Sequence, residues 1–255
     1  MIETMNIVHD PTEGSLLLAD LIGAAHRVVI FTGAGVSTES GIPDFRGPNG
    51  LWTKMEPIYF DEFVSSESAR LEDWRRRFRF KREVTAAEPN IAHRAIAKLV
   101  AGGKVLAVIT QNIDGLHQRA GVPSEHLVEI HGNATRAACL ECEAHHELDE
   151  IEAEIDRTGH PPMCRACGGL LKSAVISFGQ AMPVRAMMRA EHATQRADLF
   201  VAVGSSLQVQ PAASLPAAAK YSGANLVIVN GDATPLDPIA DHVLRGSIGE
   251  VFSLV

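Results

Sequence analysis

The chain has four cysteines, arranged as Cys139-x2-Cys142, a gap of 21 residues, and Cys164-x2-Cys167. Thiolates are soft ligands, and two such knuckles at this separation suit one tetrahedral Zn2+. Unrelated buried thiols or a redox pair are the alternatives, but both knuckles are complete and no cysteine is left over. In a reducing compartment two disulfides are disfavoured. Four sulfur ligands fill the coordination sphere and leave no place for an activated water, so the metal is expected to be structural. His145, His146 and His160 lie between the knuckles. They are expected to be solvated loop side chains, because the cysteines already suffice. The same stretch is acidic: Glu141, Glu143, Glu147, Asp149, Glu150, Glu152, Glu154 and Asp156 stand against Arg157 and Arg165. A ribbon that grips DNA or RNA would be basic. Two readings stay open: a solvated acidic helix over 148–155, or a surface that attracts lysine-rich polypeptides.

A second group of candidates surrounds glycines. Thr32-Gly33-Ala34-Gly35-Val36-Ser37 follows an apolar run, and a glycine turn entering a helix can bring backbone amides to a pyrophosphate. Thr38 stands where G-x-G-x-x-G has its third glycine, so a plain glycine turn is the alternative. The next residues, Glu39-Ser40-Gly41-Ile42-Pro43-Asp44-Phe45-Arg46-Gly47, join an acid, a base and an aromatic ring in one loop. His131 ends another apolar run, and histidine has the near-neutral pKa that general-base work needs; a hydrogen-bonded structural histidine is the alternative.

These groups need strand ends to hold them. Runs at 27–32, 104–110, 126–131, 198–203 and 225–230 are nearly continuous in apolar and β-branched residues, as in strands covered on both faces. Helical stretches at 16–25 and 91–100 lie between them, the second closed by Gly102 and Gly103. The alternation predicts an α/β fold with a doubly wound parallel, Rossmann-like sheet. Residues 53–88 depart from it, being charged and helical without a strand signal. No internal repeat or low-complexity tract is present.

Composition narrows the function classes. Of 255 residues, 46% are hydrophobic and 21% charged, and Asp plus Glu outnumber Lys plus Arg by 31 to 23 for a net charge of −8. That balance, with only two Trp and two Tyr, disfavours a protein that grips nucleic-acid phosphates or stacks bases. No apolar run approaches the ~20 residues of a membrane span. Residues 1–13 carry no Lys or Arg before their first apolar stretch, unlike a secretory signal. The expectation is a cytoplasmic protein without nucleic-acid or membrane partners.

Five separated motifs resemble the sirtuins of bacterial or archaeal type, a family of NAD-dependent protein deacylases. They are Gly33-Ala34-Gly35-Val36-Ser37 with Gly41-Ile42-Pro43-Asp44-Phe45-Arg46; Thr110-Gln111-Asn112-Ile113-Asp114-Gly115-Leu116-His117; His131-Gly132; the two cysteine knuckles; and Gly204-Ser205-Ser206-Leu207 with Val209 and Pro211. The resemblance implies a deacetylase that converts NAD and acetyl-lysine protein to nicotinamide, O-acetyl-ADP-ribose and free lysine. In sirtuins the acyl-lysine carbonyl oxygen attacks the nicotinamide ribose, and a histidine then helps a ribose hydroxyl attack the resulting imidate. His131 and Asn112 are thereby implied as catalytic. Gly33, Ala34, Gly35, Ser37, Ile42, Asp44, Phe45 and Arg46 resemble the loop that orders over NAD, with Phe45 shielding the ribose and Arg46 on the phosphate side. Gln111 resembles the residue that holds ribose hydroxyls, while Asn112, Ile113 and Asp114 frame the nicotinamide. Gly204, Ser205 and Ser206 look like phosphate or ribose contacts. Asn230, Gly231, Asp232 and Ile248 look like contacts near the adenosine, although Asp232 also fits a plain turn. Val175, Phe178, Gly179 and Val209 are implied to bind the acyl-lysine peptide, the first three by β-strand addition. The family pattern also implies a Rossmann-like NAD-binding domain from 1–46, 89–135 and 173–255. A helical insert (47–88) and the zinc-ribbon insert (136–172) would form a small domain.

Two departures qualify the match. Gln180 follows Phe178-Gly179 where sirtuins commonly have Glu, removing a charge near the peptide path. Sirtuins that remove succinyl or malonyl groups carry Tyr-x-x-Arg in the helical insert, whereas this segment reads Trp74-Arg75-Arg76-Arg77-Phe78-Arg79-Phe80-Lys81-Arg82. The aligned pair is Phe78 with Lys81 or Arg79 with Arg82, and the arginine run otherwise reads as a solvated basic helix face. Neutral short acyl groups are expected. ADP-ribosyl transfer, NAD hydrolysis without a peptide and a non-catalytic zinc-ribbon module are the competing readings. Hydride transfer is disfavoured by the zinc ribbon, the mismatched glycine loop and the absence of the usual post-strand Rossmann acid.

Overall fold

The apolar runs of this chain are satisfied only when both faces of each strand are covered, and two layers of helices on one sheet meet that demand. The computed structural model describes residues 6–45, 47, 50, 53 and 55–255. In chain order the elements are β1 (Asn6–Val8), α1 (Pro11–Ala24), β2 (Val28–Thr32), α2 (Phe60–Ser65), α3 (Glu67–Ala86), α4 (Ile91–Ala101), β3 (Val105–Thr110), α5 (Leu116–Arg119), β4 (Leu127–Glu129), β5 (Gly132–Cys139), β6 (His145–His146), α6 (Leu148–Thr158), β7 (Leu171–Val175), α7 (Val184–Arg196), β8 (Leu199–Val203), α8 (Ser214–Tyr221), β9 (Asn225–Val229), β10 (His242–Leu244) and α9 (Ile248–Val251). One parallel sheet runs β1-β10-β9-β8-β2-β3-β4. Side chains alternate across it. Val28 and Ile30 join Leu18, Ile22 and Ile96 on one face, and Val29 and Phe31 join Ala190 and Leu215 on the other.

All five expected strands are present, the one placed at 126–131 shortened to Leu127–Glu129. β1 and β10 have three residues each, too few to show a periodicity. α1 begins at Pro11 rather than 16, because Asp10 accepts the amides of Thr12 and Glu13 at 2.9 Å and proline suits the first helical turn. Among the described residues no helix is long and apolar enough to cross a membrane.

A second, antiparallel sheet pairs β5 with β6 and β7. Trp74 and Phe78 of α3 stack with ring centroids 5.6 Å apart and pack against Leu148 and Ile151 of α6, Ala137 and Leu171. The helical and cysteine-bearing segments thus share an apolar cluster. Here two expectations are corrected. The basic run is not a solvated face as a whole: Arg76 bonds Glu72 at 2.8 Å, Arg77 bonds Asp73 at 3.2 Å, Lys81 reaches Asp149, and Arg82 reaches Glu152 at 2.8 Å. The last two pairs cross to α6, so part of its acidic surface is answered by the chain's own cations. His145 and His146 fall in strand β6 rather than in a loop, whereas His160 is an exposed loop side chain as expected, its Nδ1 2.6 Å from Glu67. Apolar contact does most of the joining, since ion pairs at a surface contribute little individually.

The four cysteine sulfurs lie within 4.8 Å of one another. Cys139 and Cys167 are 3.4 Å apart, and Cys142 and Cys164 are 3.7 Å apart. These separations far exceed the ~2.05 Å of a disulfide. They approach the ~3.8 Å expected between ligands of a tetrahedral zinc with Zn–S bonds of ~2.3 Å. The donor set fits zinc, and four thiolates around such an ion would leave no open coordination site, as a structural metal requires. Cys164→Ser is expected to lose the metal and solubility; one zinc per chain held at unchanged affinity in that variant, measured by elemental analysis and chelator competition, would contradict the assignment.

Between α4 and α5 two histidines are wholly buried, with ring centroids 5.0 Å apart. His93 caps its own helix with Asn90, and His117 Nε2 lies 2.9 Å from Thr32 Oγ1. Burial, and secondarily Arg94, lowers the His93 pKa from 6.5 to about 4; burial, and secondarily His93, lowers that of His117 to about 3. The unfolded chain binds these protons near pH 6.5 and the folded chain does not, so the contribution to stability is full above 6.5 and lost as the pH falls toward 3–4. The urea midpoint is expected to drop between pH 7 and 4, and to drop less in His93→Gln. Parallel pH profiles for the two proteins would refute this origin.

Candidate active site

The site lies where the sheet changes direction. From β2 the chain continues through β3 toward one edge, and from β8 through β9 toward the other. Such a switch point opens a crevice at the C-terminal strand ends. The loops after β2 and β8 meet there at glycines. A Cβ on Gly33 would lie 2.7 Å from the Gly204 oxygen, one on Gly35 2.8 Å from Gly204 Cα, and one on Gly204 2.4 Å from the Val36 nitrogen. Gly35 N–H donates to Gly204 O at 2.8 Å. These glycines therefore let two loops touch, and the Gly35 amide is engaged by protein rather than directed at a phosphate. The helix that follows is a 3-10 helix, Ala34–Ser40, in place of the expected α-helix start.

The end of β3 brings polar groups to the same place. Asn112 Nδ2 donates to Ser37 Oγ at 3.1 Å, and that hydroxyl donates to Asp114 Oδ2 at 2.7 Å. Leu116 N–H donates to Asp114 Oδ1 at 2.9 Å. Burial raises the Asp114 pKa above the ordinary carboxylate value, opposed by the Leu116 and Ser37 hydrogen bonds. Gln111 Nε2 donates to Ser205 Oγ at 2.8 Å, tying the end of β3 to the loop after β8. Thr32 and Thr110, which the sequence reading did not single out as site residues, brace this network from below: their hydroxyls bond at 2.8 Å, and Thr110 Oγ1 accepts the Asn112 amide at 3.0 Å. Their signal was a threonine ending each of two adjacent apolar strands.

His131 follows β4 and is half-buried. Its Nδ1 lies 3.0 Å from the Gln111 carbonyl oxygen. A carbonyl only accepts, so Nδ1 carries a proton, and in the neutral ring the lone pair is then on Nε2. Its own carbonyl accepts the Ile176 amide at 2.9 Å. Gly132, at φ +76°, has Ala174 O only 2.0 Å from where a Cβ would stand, so a side chain here would push β7 away from the histidine.

The other expected residues fall around this centre. Ile42 is buried with Val84 and Leu116, while Asp44 and Phe45 are half-buried and Asp44 Oδ1 accepts the Gly47 amide at 3.0 Å. Arg46 lies outside the described residues. Ser206 is half-buried beyond β8, next to buried Ser205. Ile113 is buried with Ala134 and Val175, and Phe80 of α3 packs against them. Ile248 belongs to the apolar core with Val36 and lies beside Gly204. Asn230, Gly231 and exposed Asp232 follow β9, and Arg245, missed in the sequence, donates to the carbonyls of Asn230 at 2.8 Å and Asp232 at 2.5 Å.

On the candidate peptide path, Phe178 and Gly179 are exposed after β7, and Val209 is half-buried after β8. Tyr59, also unforeseen, packs on Phe178 with ring centroids 6.0 Å apart. Gln180 Oε1 accepts the Ser177 amide at 3.1 Å, so its side chain closes the turn that presents Phe178 and Gly179.

A model of the Sir2 family matches residues 33–211. An NAD-dependent protein deacetylase of Rhodopseudomonas palustris is 54% identical over 91% of this chain and 92% of its own length. NAD-dependent protein deacetylase 1 of Bradyrhizobium diazoefficiens is 51% identical over 96% of both. A Sir2 structure with a p53 peptide and NAD+ superposes with a TM-score of 0.81 at 37% identity, covering 93% of this chain and 95% of that one. A Sir2 structure bound to a propionylated peptide gives 0.80 at 36% identity, with coverage of 93% and 95%. The matched span takes in the switch-point loops, the histidine and all four cysteines, and so the chain belongs to the Sir2 family.

Proposed function

We propose that the chain is an NAD-dependent protein lysine deacetylase in which His131 is the general base. The observation that carries the reading is the fixed tautomer of His131, held by the Gln111 carbonyl at the strand ends where Ser37, Asn112, Asp114 and Ser205 also gather. NAD, when bound, supplies an electrophilic ribose carbon and carries the acyl group away as O-acetyl-ADP-ribose, with nicotinamide and free lysine as the other products. The donor set fits that molecule: buried amide, hydroxyl and carboxyl groups gather at the strand ends where two close-packed loops meet. Asn112, Ile113 and Asp114 would frame the carboxamide, Gln111 the ribose hydroxyls, and Ser37, Ser205 and Ser206 the phosphate side beside Ala34, with Gly33, Gly35 and Gly204 letting the two loops approach it. Asp44 and Phe45 would order over the cofactor, Phe45 shielding the reacting ribose from water, with Arg46 on the phosphate side. Asn230, Gly231 and Asp232 would meet the adenosine. His131 takes the hydroxyl proton at Nε2 while Gln111 holds the ring.

The substrate reading is an acyl-lysine polypeptide lying along Phe178, Gly179 and Val209, supported by similar Sir2 proteins bound to a p53 peptide and a propionylated peptide. We take 1–46, 89–135 and 173–255 as the NAD-binding domain, with 47–88 and 136–172 as a small domain. The thiol cluster calls for a reducing setting, hence the cytoplasm. A short neutral acyl group is favoured because the groups beside Val175 are Phe80, Ile113 and Ala134. Both registers of a carboxylate clamp are used elsewhere: Phe78 is in the ribbon cluster, Lys81 reaches Asp149, and Arg82 reaches Glu152.

Acetyl-lysine peptide is therefore expected to be turned over at least about tenfold more efficiently than succinyl-lysine peptide, the scale of leaving a carboxylate without a partner. Equal kcat/KM for the two would sink the apolar reading of this wall. His131→Ala is expected to keep NAD affinity and to lower deacetylation at least ~10²-fold, the usual worth of a positioned base. Nicotinamide exchange should fall less, because in this scheme the first step needs no base. Deacetylation at the wild-type rate in this variant would remove His131 from the mechanism. NAD consumption that is equally fast without peptide in the wild type would replace the deacetylase reading with NAD hydrolysis.

A further inference from the structure

Among the described residues Lys172 is the one lysine of the largest fully buried side chains, with 1% of its surface exposed at the second position of β7. Burying an ammonium is costly unless a specific partner holds it. Its Nζ donates to the Val175 carbonyl and lies 5.8 Å from the centroid of the Phe63 ring of α2. The charged groups that act on it are Asp73 and Arg77 of α3, themselves paired at 3.2 Å; from β5 its register partner is Ala138.

The Val175 carbonyl and the Ile176 N–H belong to one peptide unit, and that N–H is the donor to the His131 carbonyl at 2.9 Å. We propose that Lys172 is a positioning residue for His131, clamping the 175–176 peptide unit by its oxygen while the same unit's N–H holds the histidine backbone. A charge-assisted bond at the oxygen polarises the amide and strengthens its N–H as a donor. The histidine is then fixed twice, through its ring by Gln111 and through its backbone by this peptide unit. Lys172 also carries the helical segment's influence to the site, because Phe63, Asp73 and Arg77 set its surroundings. Burial, and secondarily Arg77, brings its pKa down from 10.5 to about 7, with Asp73 opposing. The clamp is therefore charged below about pH 7 and weakens as the pH rises past it.

The activity arm of the test rests on the deacetylase reading, and the exchange arm does not. Lys172→Met should lower kcat on acetyl-lysine peptide about tenfold, the scale of one charge-assisted hydrogen bond, with KM for NAD within about twofold. Lys172→Arg keeps the charge at all working pH values, so it should retain turnover and lose the alkaline fall that the wild type shows above pH 7. Hydrogen exchange of the Ile176 amide, corrected for its intrinsic pH dependence, should be about tenfold faster in Lys172→Met, in step with the lost clamp. In the wild type it should quicken above pH 7, and in Lys172→Arg it should not. Unchanged exchange in Lys172→Met, or identical alkaline profiles for wild type and Lys172→Arg, would overturn the proposal. A parallel loss of turnover, NAD affinity and thermal stability in Lys172→Met would also overturn it, in favour of general support of the fold. Should Lys172→Met fail to fold, the comparison of wild type with Lys172→Arg decides alone. Absence of product from the wild type would defeat the deacetylase reading, while the exchange data would still decide the clamp.

Discussion

The approach of two backbone segments at Gly33, Gly35 and Gly204 is the constraint on which the site depends. Strands β2 and β8 are neighbours in the sheet, and the loops leaving their ends must pass within van der Waals contact before they diverge. Any side chain at these positions would meet backbone, which cannot step aside as a flexible side chain can. With the loops in contact, Ser37 comes within reach of Asn112 and Asp114, and Ser205 comes within reach of Gln111. Gln111 then offers its carbonyl to His131. The polar groups at four strand ends are thus held in one network because two loops are closer than side chains would permit.

The legible part of this arrangement was the part written in long-range pattern. Apolar runs marked the five contiguous strands β9, β8, β2, β3 and β4, because a strand buried on both faces must be largely apolar. The knuckle spacing marked the cysteine cluster, since ligand geometry limits how the chain can pass around a metal. Motif order marked the residues around the crevice. Other features had no sequence-local signature. β1 and β10 are three-residue strands whose pairing depends on neighbours far away in the chain. The use of Gly35 N–H by Gly204, the bracing by Thr32 and Thr110, and the hold of Arg245 on the loop after β9 are tertiary contacts between ordinary residues.

Charge was read least well. A basic stretch and an acidic stretch each look like solvated faces when taken singly, and the sequence places them about seventy residues apart, as in Arg82 and Glu152. In the fold α3 and α6 meet, and the two patterns partly answer each other over an apolar cluster containing Trp74 and Ile151. The basic run consequently has less to offer an acidic acyl group than its composition implies.

The position of β2 has a further consequence for the chain during its synthesis. β2 is complete at Thr32 and is apolar in all but that last residue, yet its partner β8 begins only at Leu199. Until then one edge of this buried, largely apolar strand has no native neighbour, even after β3 has covered the other edge. An open edge of this kind is a template for pairing between chains. Products that stop before β8 would therefore carry a sticky edge at the heart of the sheet, and the crevice would be absent because one of its two walls does not yet exist. Most of the polypeptide must be made before there is a site for any ligand to enter, so ligand binding can stabilise the finished fold but cannot guide its early assembly.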